Sequence, residues 1–211
     1  VSTFDLDYLR TWIGKSRTDE DLISVRHSKL MAATVDYHQS NIRDGDNLPP
    51  LWHWTYFLEG VPASELGLDG HPARGGFMPP VPLPNRMWAG GRVTFISPVI
   101  VGSVVSKASS ILTVNYKQGR SGDLVFVTVL HEIKAQHGEL LIREEQDIVY
   151  KESTPAKVVA STLAIMPIAQ FTKTYSPSST MLFRYSALTF NGHRIHYDVD
   201  SDITVNPTRY A

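Results

Sequence analysis

Two periodicities divide the chain. From Thr18 to Tyr37, residues Leu22, Ile23, Leu30, Ala33 and Val35 recur at a rough 3.6-residue spacing, which predicts a helix with one buried face. Thr18 stands where it can cap the free amides, and Asp19, Glu20 and Asp21 follow where a positive helix end favours acidic side chains. His27 falls on this stretch and reads as a surface residue rather than a ligand. From Arg92 the pattern turns to β. Val93 to Ser97 leads to Pro98, and Val104 to Tyr116 reads as a long strand. Lys117 to Asp123, with Gly119 and Gly122, predicts a hairpin turn. Leu124 to Ile133 is strongly β-branched, His137-Gly138 marks a second turn, and Glu139 to Tyr150 supplies a last strand. Consecutive strands with short turns pair antiparallel. With one amphipathic helix ahead of them, they predict an α+β domain in which a curved sheet covers a helix.

The stretches between are less regular. Asn41 to Pro50 is a polar loop, and Leu51 to Leu58 is too short and aromatic to assign to strand or helix. Packing is the expected role of these aromatics, and His53 between Trp52 and Trp54 reads as a hydrogen-bonded core histidine. Gly67 to Gly91 holds five prolines and six glycines, which argues against long regular elements there. Arg74, Arg86, Met87 and Trp88 suit that loop to a surface-lining or a ligand-lining role, whereas Gly75-Gly76 lacks the spacing and lysine of a phosphate loop. Residues 1–150 therefore read as one unit and 151–180, rich in Ser, Thr, Ala and Pro, as a connector. Residues 181–211 read as the start of a second unit, with Met181 to Tyr185 as its first strand.

Composition narrows the class. In 211 residues, 42% are hydrophobic and 19% charged, as in a soluble globular protein with a real core. A net charge of −1 implies no general attraction to nucleic acid or an anionic membrane. With no cysteine, disulfides, thiolate catalysis and Cys-ligated metal are excluded. No apolar run approaches a membrane span, and Val1 to Asp5 does not read as a signal peptide. A cytoplasmic protein is expected, or one of the mitochondrial matrix if the source is eukaryotic.

The candidate chemistry lies near the C-terminal end. Apolar and aromatic residues from Phe183 lead into Asn191-Gly192, a pair that favours a turn because Gly accepts positive φ. Asn191, His193, Arg194 and His196 follow closely, a density of polar groups typical of a site on a loop. The run Asn191-Gly192-His193-Arg194-Ile195-His196 resembles the Asp-x-Asn-Pro-hydrophobic-His signature of the MaoC-like (R)-specific enoyl-thioester hydratases. His196 keeps the terminal His, while Asn191, His193 and Arg194 replace Asp, Asn and Pro. Those departures resemble a subgroup holding mesaconyl-CoA-type hydratases and mitochondrial type 2 3-hydroxyacyl-thioester dehydratases. Leu48 to Trp54, Pro82 to Gly91 and Glu144 to Tyr150 carry the same resemblance, over residues 15–198 in all.

The resemblance implies a hotdog fold and a hydratase or dehydratase acting on an acyl-CoA or acyl-carrier thioester. No separate cofactor or metal is implied, coenzyme A or pantetheine being part of the substrate. Adding water needs a base, a proton for Cα and a holder for the enolate oxygen, the last supplied by backbone amides such as a helix N-terminus. His196 is the expected general base and Asn191 the water-positioning partner. His193, Arg194, Gly192 and Trp88 are the expected substrate-binding residues, with Arg194 suited to a distal carboxylate. A non-catalytic hotdog subunit and a hotdog thioesterase are the alternatives. Since 199–211 hold too few residues for a second sheet, Leu182, Phe183, Leu188, Phe190 and Ile195 are expected along an unpaired edge. Three remedies are expected: residues beyond 211, a tail packed on the first unit, or a homodimer or partner chain that supplies the missing sheet.

Overall fold

The β-branched runs build one five-stranded antiparallel sheet. Its strands are β1 (Ser16–Leu22), β2 (Asn85–Phe95), β3 (Val104–Gly119), β4 (Gly122–Ala135) and β5 (Leu140–Lys151), in spatial order β1-β3-β4-β5-β2. A computed structural model describes residues 4–37, 41–67, 70, 72, 76–119, 122–152, 170–172, 174–193 and 196. Among the described residues three α-helices accompany the sheet: α1 (Leu6–Arg10), α2 (Val25–Thr34) and α3 (Ser179–Leu188).

Side chains alternate across a strand, so Val125, Val127, Val129, His131 and Ile133 of β4 share one face. Both ends of that face are apolar. At one end Val105, Ile133 and Ile142 pack with Met31 and Ala32 of α2 and with Trp52 and Tyr56. At the other, Ile111, Val125, Val127 and Tyr150 pack with Leu9 of α1 and the strap residues Val81 and Leu83. Within Leu51 to Leu58, Trp52 and Tyr56 are buried as expected while Trp54 is 40% exposed, and a 3₁₀ turn at Trp52–Thr55 buries Trp52, His53 and Thr55.

Three expectations need correction. The helix is shorter than the spacing from Thr18 suggests: Ser16–Leu22 is a strand paired with β3, from Ser16 opposite Ser110 to Leu22 opposite Val104. Backbone pairing there outweighs helix preference, and the cap is Ser24, whose Oγ accepts from the His27 N–H at 3.2 Å. The buried face of α2 is Ser28, Met31, Ala32 and Thr34, while Leu22 and Leu30 are each 50% exposed. His27 is half-buried rather than a surface residue.

Second, the Pro/Gly-rich stretch ends sooner than Gly91. Strand β2 begins at Asn85 and absorbs Gly90-Gly91 through an irregularity in its register between Trp88 and Gly90. Third, Met181 to Tyr185 is helical. Ser178 Oγ accepts from the Met181 N–H at 3.1 Å, and Met181, Leu182, Arg184 and Ala187 are good helix formers. The apolar side chains therefore lie on a helix surface and not along a strand edge: Leu188 packs on the core, and Phe183 and Phe190 are exposed. Ile195, 153–169 and 197–211 lie outside the described residues. No helix among the described residues is long and apolar enough to cross a membrane.

Candidate functional site

The last turn of α3 fixes where the site begins. Phe190 takes the left-handed conformation, with φ +48°. Its N–H donates to the Ala187 carbonyl at 3.2 Å, and the Asn191 N–H reaches back to Ser186 at 2.9 Å. These are the two bonds of a Schellman cap, which normally carries glycine at the left-handed position. A phenylalanine there costs about 1–2 kcal/mol of backbone strain, held by its surroundings. Phe190, not Gly192, is thus the positive-φ residue of the turn, correcting the sequence expectation. Gly192 meets a different constraint: a Cβ on it would lie 3.1 Å from the Gly70 carbonyl oxygen.

Beyond the cap the chain folds on itself. Asn191 Oδ1 accepts from the His193 N–H at 3.0 Å, and the His196 N–H donates to the His193 carbonyl at 3.1 Å. The two imidazoles meet edge to face with centroids 5.6 Å apart. His196 remains exposed on one side, and burial of the rest pushes its pKa below the ordinary histidine value. A neutral imidazole at pH 7 can accept a proton. With Asn191 Oδ1 engaged by the backbone, its amide N–H groups remain as donors. Arg194 lies outside the described residues.

Asn191 and Gly192 open onto a cavity of about 570 Å³. Val61, Leu66, Phe183 and Phe190 give it apolar walls, and Glu59, bound to Arg17 at 2.9 Å, is its carboxylate. His193 and His196 follow Asn191 and Gly192 along the chain but are not among the residues lining this cavity. Trp88 is elsewhere: it is exposed on β2, edge-on to Trp54 at 6.4 Å, and is not among the residues lining the cavity.

Trp54 reaches a second polar group that sequence reasoning did not single out. Glu144 of β5 is buried on the helix-covered face of the sheet, between the two apolar ends. Its carboxylate accepts from His53 Nε2 at 3.0 Å and from Trp54 Nε1 at 3.0 and 3.1 Å. Burial works to raise the Glu144 carboxyl, but the bonds from His53 and Trp54 outweigh it and hold the group below the usual carboxylate range. His53 is therefore the hydrogen-bonded core histidine expected of it. Opposite Glu144, His131 of β4 bonds the buried Ser109 hydroxyl at 2.8 Å, and burial pushes its pKa down. The available signal was strand alternation. Glu144 shares a face with Ile142, whereas Glu145 and Asp147 point to the other side, where Arg92 bonds both at 2.8 Å. Among the described residues no group of three His, Cys, Asp or Glu side chains is placed to hold a metal ion.

Comparison with known proteins gives consistent matches. The family model described as hydroxyacyl-thioester dehydratase type 2 matches residues 51–201. The mesaconyl-C(4)-CoA hydratase of Chloroflexus aurantiacus is 45% identical over 188 residues, which are 89% of this chain and 67% of that protein. The mitochondrial hydroxyacyl-thioester dehydratase type 2 of Schizosaccharomyces pombe is 25% identical, over 72% of this chain and 58% of its own length. Among solved structures, a MaoC-like dehydratase superimposes with a TM-score of 0.63 at 13% identity, covering 96% of this chain and 73% of the other. At that identity the likeness establishes the fold, and the sheet order with its covering helix is the hotdog arrangement.

Proposed function

Because the chain belongs to the hydroxyacyl-thioester dehydratase type 2 family, we propose that it adds water to, or removes it from, the α,β position of a short acyl-CoA thioester, with a dicarboxylic, mesaconyl-like acyl group as the preferred substrate. The observation that carries this reading is the placing of Asn191 on an apolar cavity with His193 and His196 on the same folded-back loop. The 45% identity to a mesaconyl-C(4)-CoA hydratase supports the choice of acyl group.

In the hydration direction, an Asn191 amide N–H donates to the attacking water, and the lowered pKa of His196 leaves it free to take the water proton. The water oxygen bonds to Cβ, and the Cα=Cβ electron pair moves toward the thioester carbonyl to give an enolate. The imidazolium then returns a proton to Cα, and the 3-hydroxyacyl thioester is complete. Dehydration is the same path reversed. Phe183, Phe190 and Leu66 offer the acyl chain an apolar surface. Arg194, by its chemistry, is suited to the distal carboxylate through paired hydrogen bonds.

The test follows the loss of enoyl-thioester absorbance with mesaconyl-CoA and crotonyl-CoA. His196→Ala should lower kcat by roughly 10²–10⁴-fold, the usual value of a general base. Near-normal turnover in a folded His196→Ala protein refutes the assignment. Arg194→Met should weaken mesaconyl-CoA far more than crotonyl-CoA, and an equal loss on both removes Arg194 from carboxylate recognition.

A further inference from the structure

The Schellman cap does not reach the Leu188 carbonyl. Its two bonds satisfy Ser186 and Ala187, while the carbonyl of Leu188, in the last helical position, points out of the helix. That oxygen is met from 161 residues away. His27 Nε2, on α2, lies 3.1 Å from the Leu188 oxygen. A carbonyl can only accept, so Nε2 carries the proton. The ring is fixed in turn: its edge packs on Tyr56 at 5.1 Å. Tyr56 donates from its hydroxyl to the Ser24 carbonyl at 3.0 Å and bonds Ser28 Oγ at 2.7 Å. Ser24 and Ser28 belong to the same end of α2 as His27, so the imidazole cannot swing without disturbing a buried hydroxyl pair.

We propose that His27 is a positioning residue for the reaction, tying the C-terminal turn of α3 to α2 and so setting where Asn191 and His196 stand relative to the cavity. The proposal rests on the assignment of catalysis to the Asn191–His196 loop. Two features make the tie consequential. Helix α3 has no fully buried residue, so packing alone holds it weakly and a single directed bond is a large part of its placement. The bond also lands two residues before the strained Phe190, whose left-handed backbone persists only where its neighbours are held. His27 touches neither water nor substrate in this account.

The experiment compares His27→Ala with His27→Gln, whose amide keeps an N–H donor near the Nε2 position. Both are measured in the full chain by kcat and KM, by melting temperature, and by amide hydrogen exchange over residues 179–191. His27→Ala should speed exchange across α3 and lower kcat on the order of ten- to a hundredfold, as for reacting groups displaced by up to an ångström. KM should change less than kcat, since Glu59, Val61 and Leu66 of the cavity lie off α3. His27→Gln should restore both exchange and kcat. Its pH–rate profile should keep its shape, because both forms of His27 donate from Nε2 and the titrating base lies elsewhere. Unchanged α3 exchange in His27→Ala overturns the proposal. So does a Gln variant as impaired as Ala, or one that loses a limb of the pH profile. Normal kcat in His27→Ala alongside an inactive His196→Ala overturns the positioning role alone. Normal kcat in both overturns the site assignment beneath it.

Discussion

Glu144 gives the sharpest stability test, because its carboxylate is the shared acceptor of two donors, of which the buried His53 has no access to water. Replacing it with alanine leaves His53 Nε2–H, on a residue only 4% exposed, with no acceptor at 3.0 Å. A buried polar group left unpaired costs about 1–3 kcal/mol. Trp54 is 40% exposed, so water can serve its indole N–H and its share is small. With the cavity left by the side chain included, the expected loss is at the upper end of that range, about 3 kcal/mol. For a domain of this size that corresponds to a fall of roughly 6–12 °C in Tm. Glu144→Gln keeps one acceptor oxygen and should lose about half as much. Urea unfolding at pH 7, followed by tryptophan fluorescence, reads all three proteins with an unchanged slope expected. The pair His53→Phe with Glu144→Leu removes donor and acceptor together and should recover much of the loss. A Glu144→Ala protein within about 0.5 kcal/mol of the parent would refute the reasoning.

The same network predicts acid sensitivity. Glu144 in the folded state titrates below its ordinary value of 4.5, so its stabilisation is full above that value and is lost as pH falls through the depressed folded value. His131, pushed below 6.5 by burial, acts in the same direction at higher pH: the unfolded chain takes up its proton first, and stability declines as pH falls from about 6.5. Melting temperatures between pH 7.5 and 3.5 should show both limbs, with His131→Asn flattening the upper and Glu144→Gln the lower; a pH-independent Tm contradicts the assignment. At the α3 cap, Phe190→Gly should release about 1 kcal/mol of backbone strain and leave Tm no lower, while removing a cavity wall and raising KM. A clear drop in Tm would show that the Phe190 ring, although 61% exposed, is needed to hold the turn.

The long β-branched runs were the most legible part of the chain. Val104 to Tyr116, Leu124 to Ile133 and Glu139 to Tyr150 all became strands, extended at most by a few residues, because alternation and β-branching agree there with tertiary pairing. Misreadings occurred where local preference and sheet pairing disagree. Asp19, Glu20 and Asp21 look like a helix start, but β3 offers Ser16–Leu22 a full ladder of backbone partners. Asn85 to Gly91 looks like loop, yet β5 pairs with it through a bulge that only the partner strand reveals. Met181 to Tyr185 failed in the other direction: with no strand beside it, the stretch followed its own helix preference. At the site, the residues from Asn191 to His196 were visible as chemistry in a short run. Glu59, Glu144 and His27 were not, because each matters through a partner 42, 91 or 161 residues away.

The direction of α3 decides which half of the proposed reaction it can serve. An N-terminal helix end would offer free amides to the enolate oxygen, but the Asn191–His196 loop leaves from a C-terminal end, where the backbone presents carbonyls and a partial negative charge. That field disfavours an enolate and favours a cation. A histidine of the loop that takes a proton from water becomes such a cation, and burial, which lowers the His196 pKa, keeps that ring neutral beforehand. The enolate oxygen, by the same electrostatics, must be held by donors outside the α3 turn. Asn191, whose amide N–H groups remain free of the Oδ1 bond to His193, belongs to the water and not to the enolate on this division of charge.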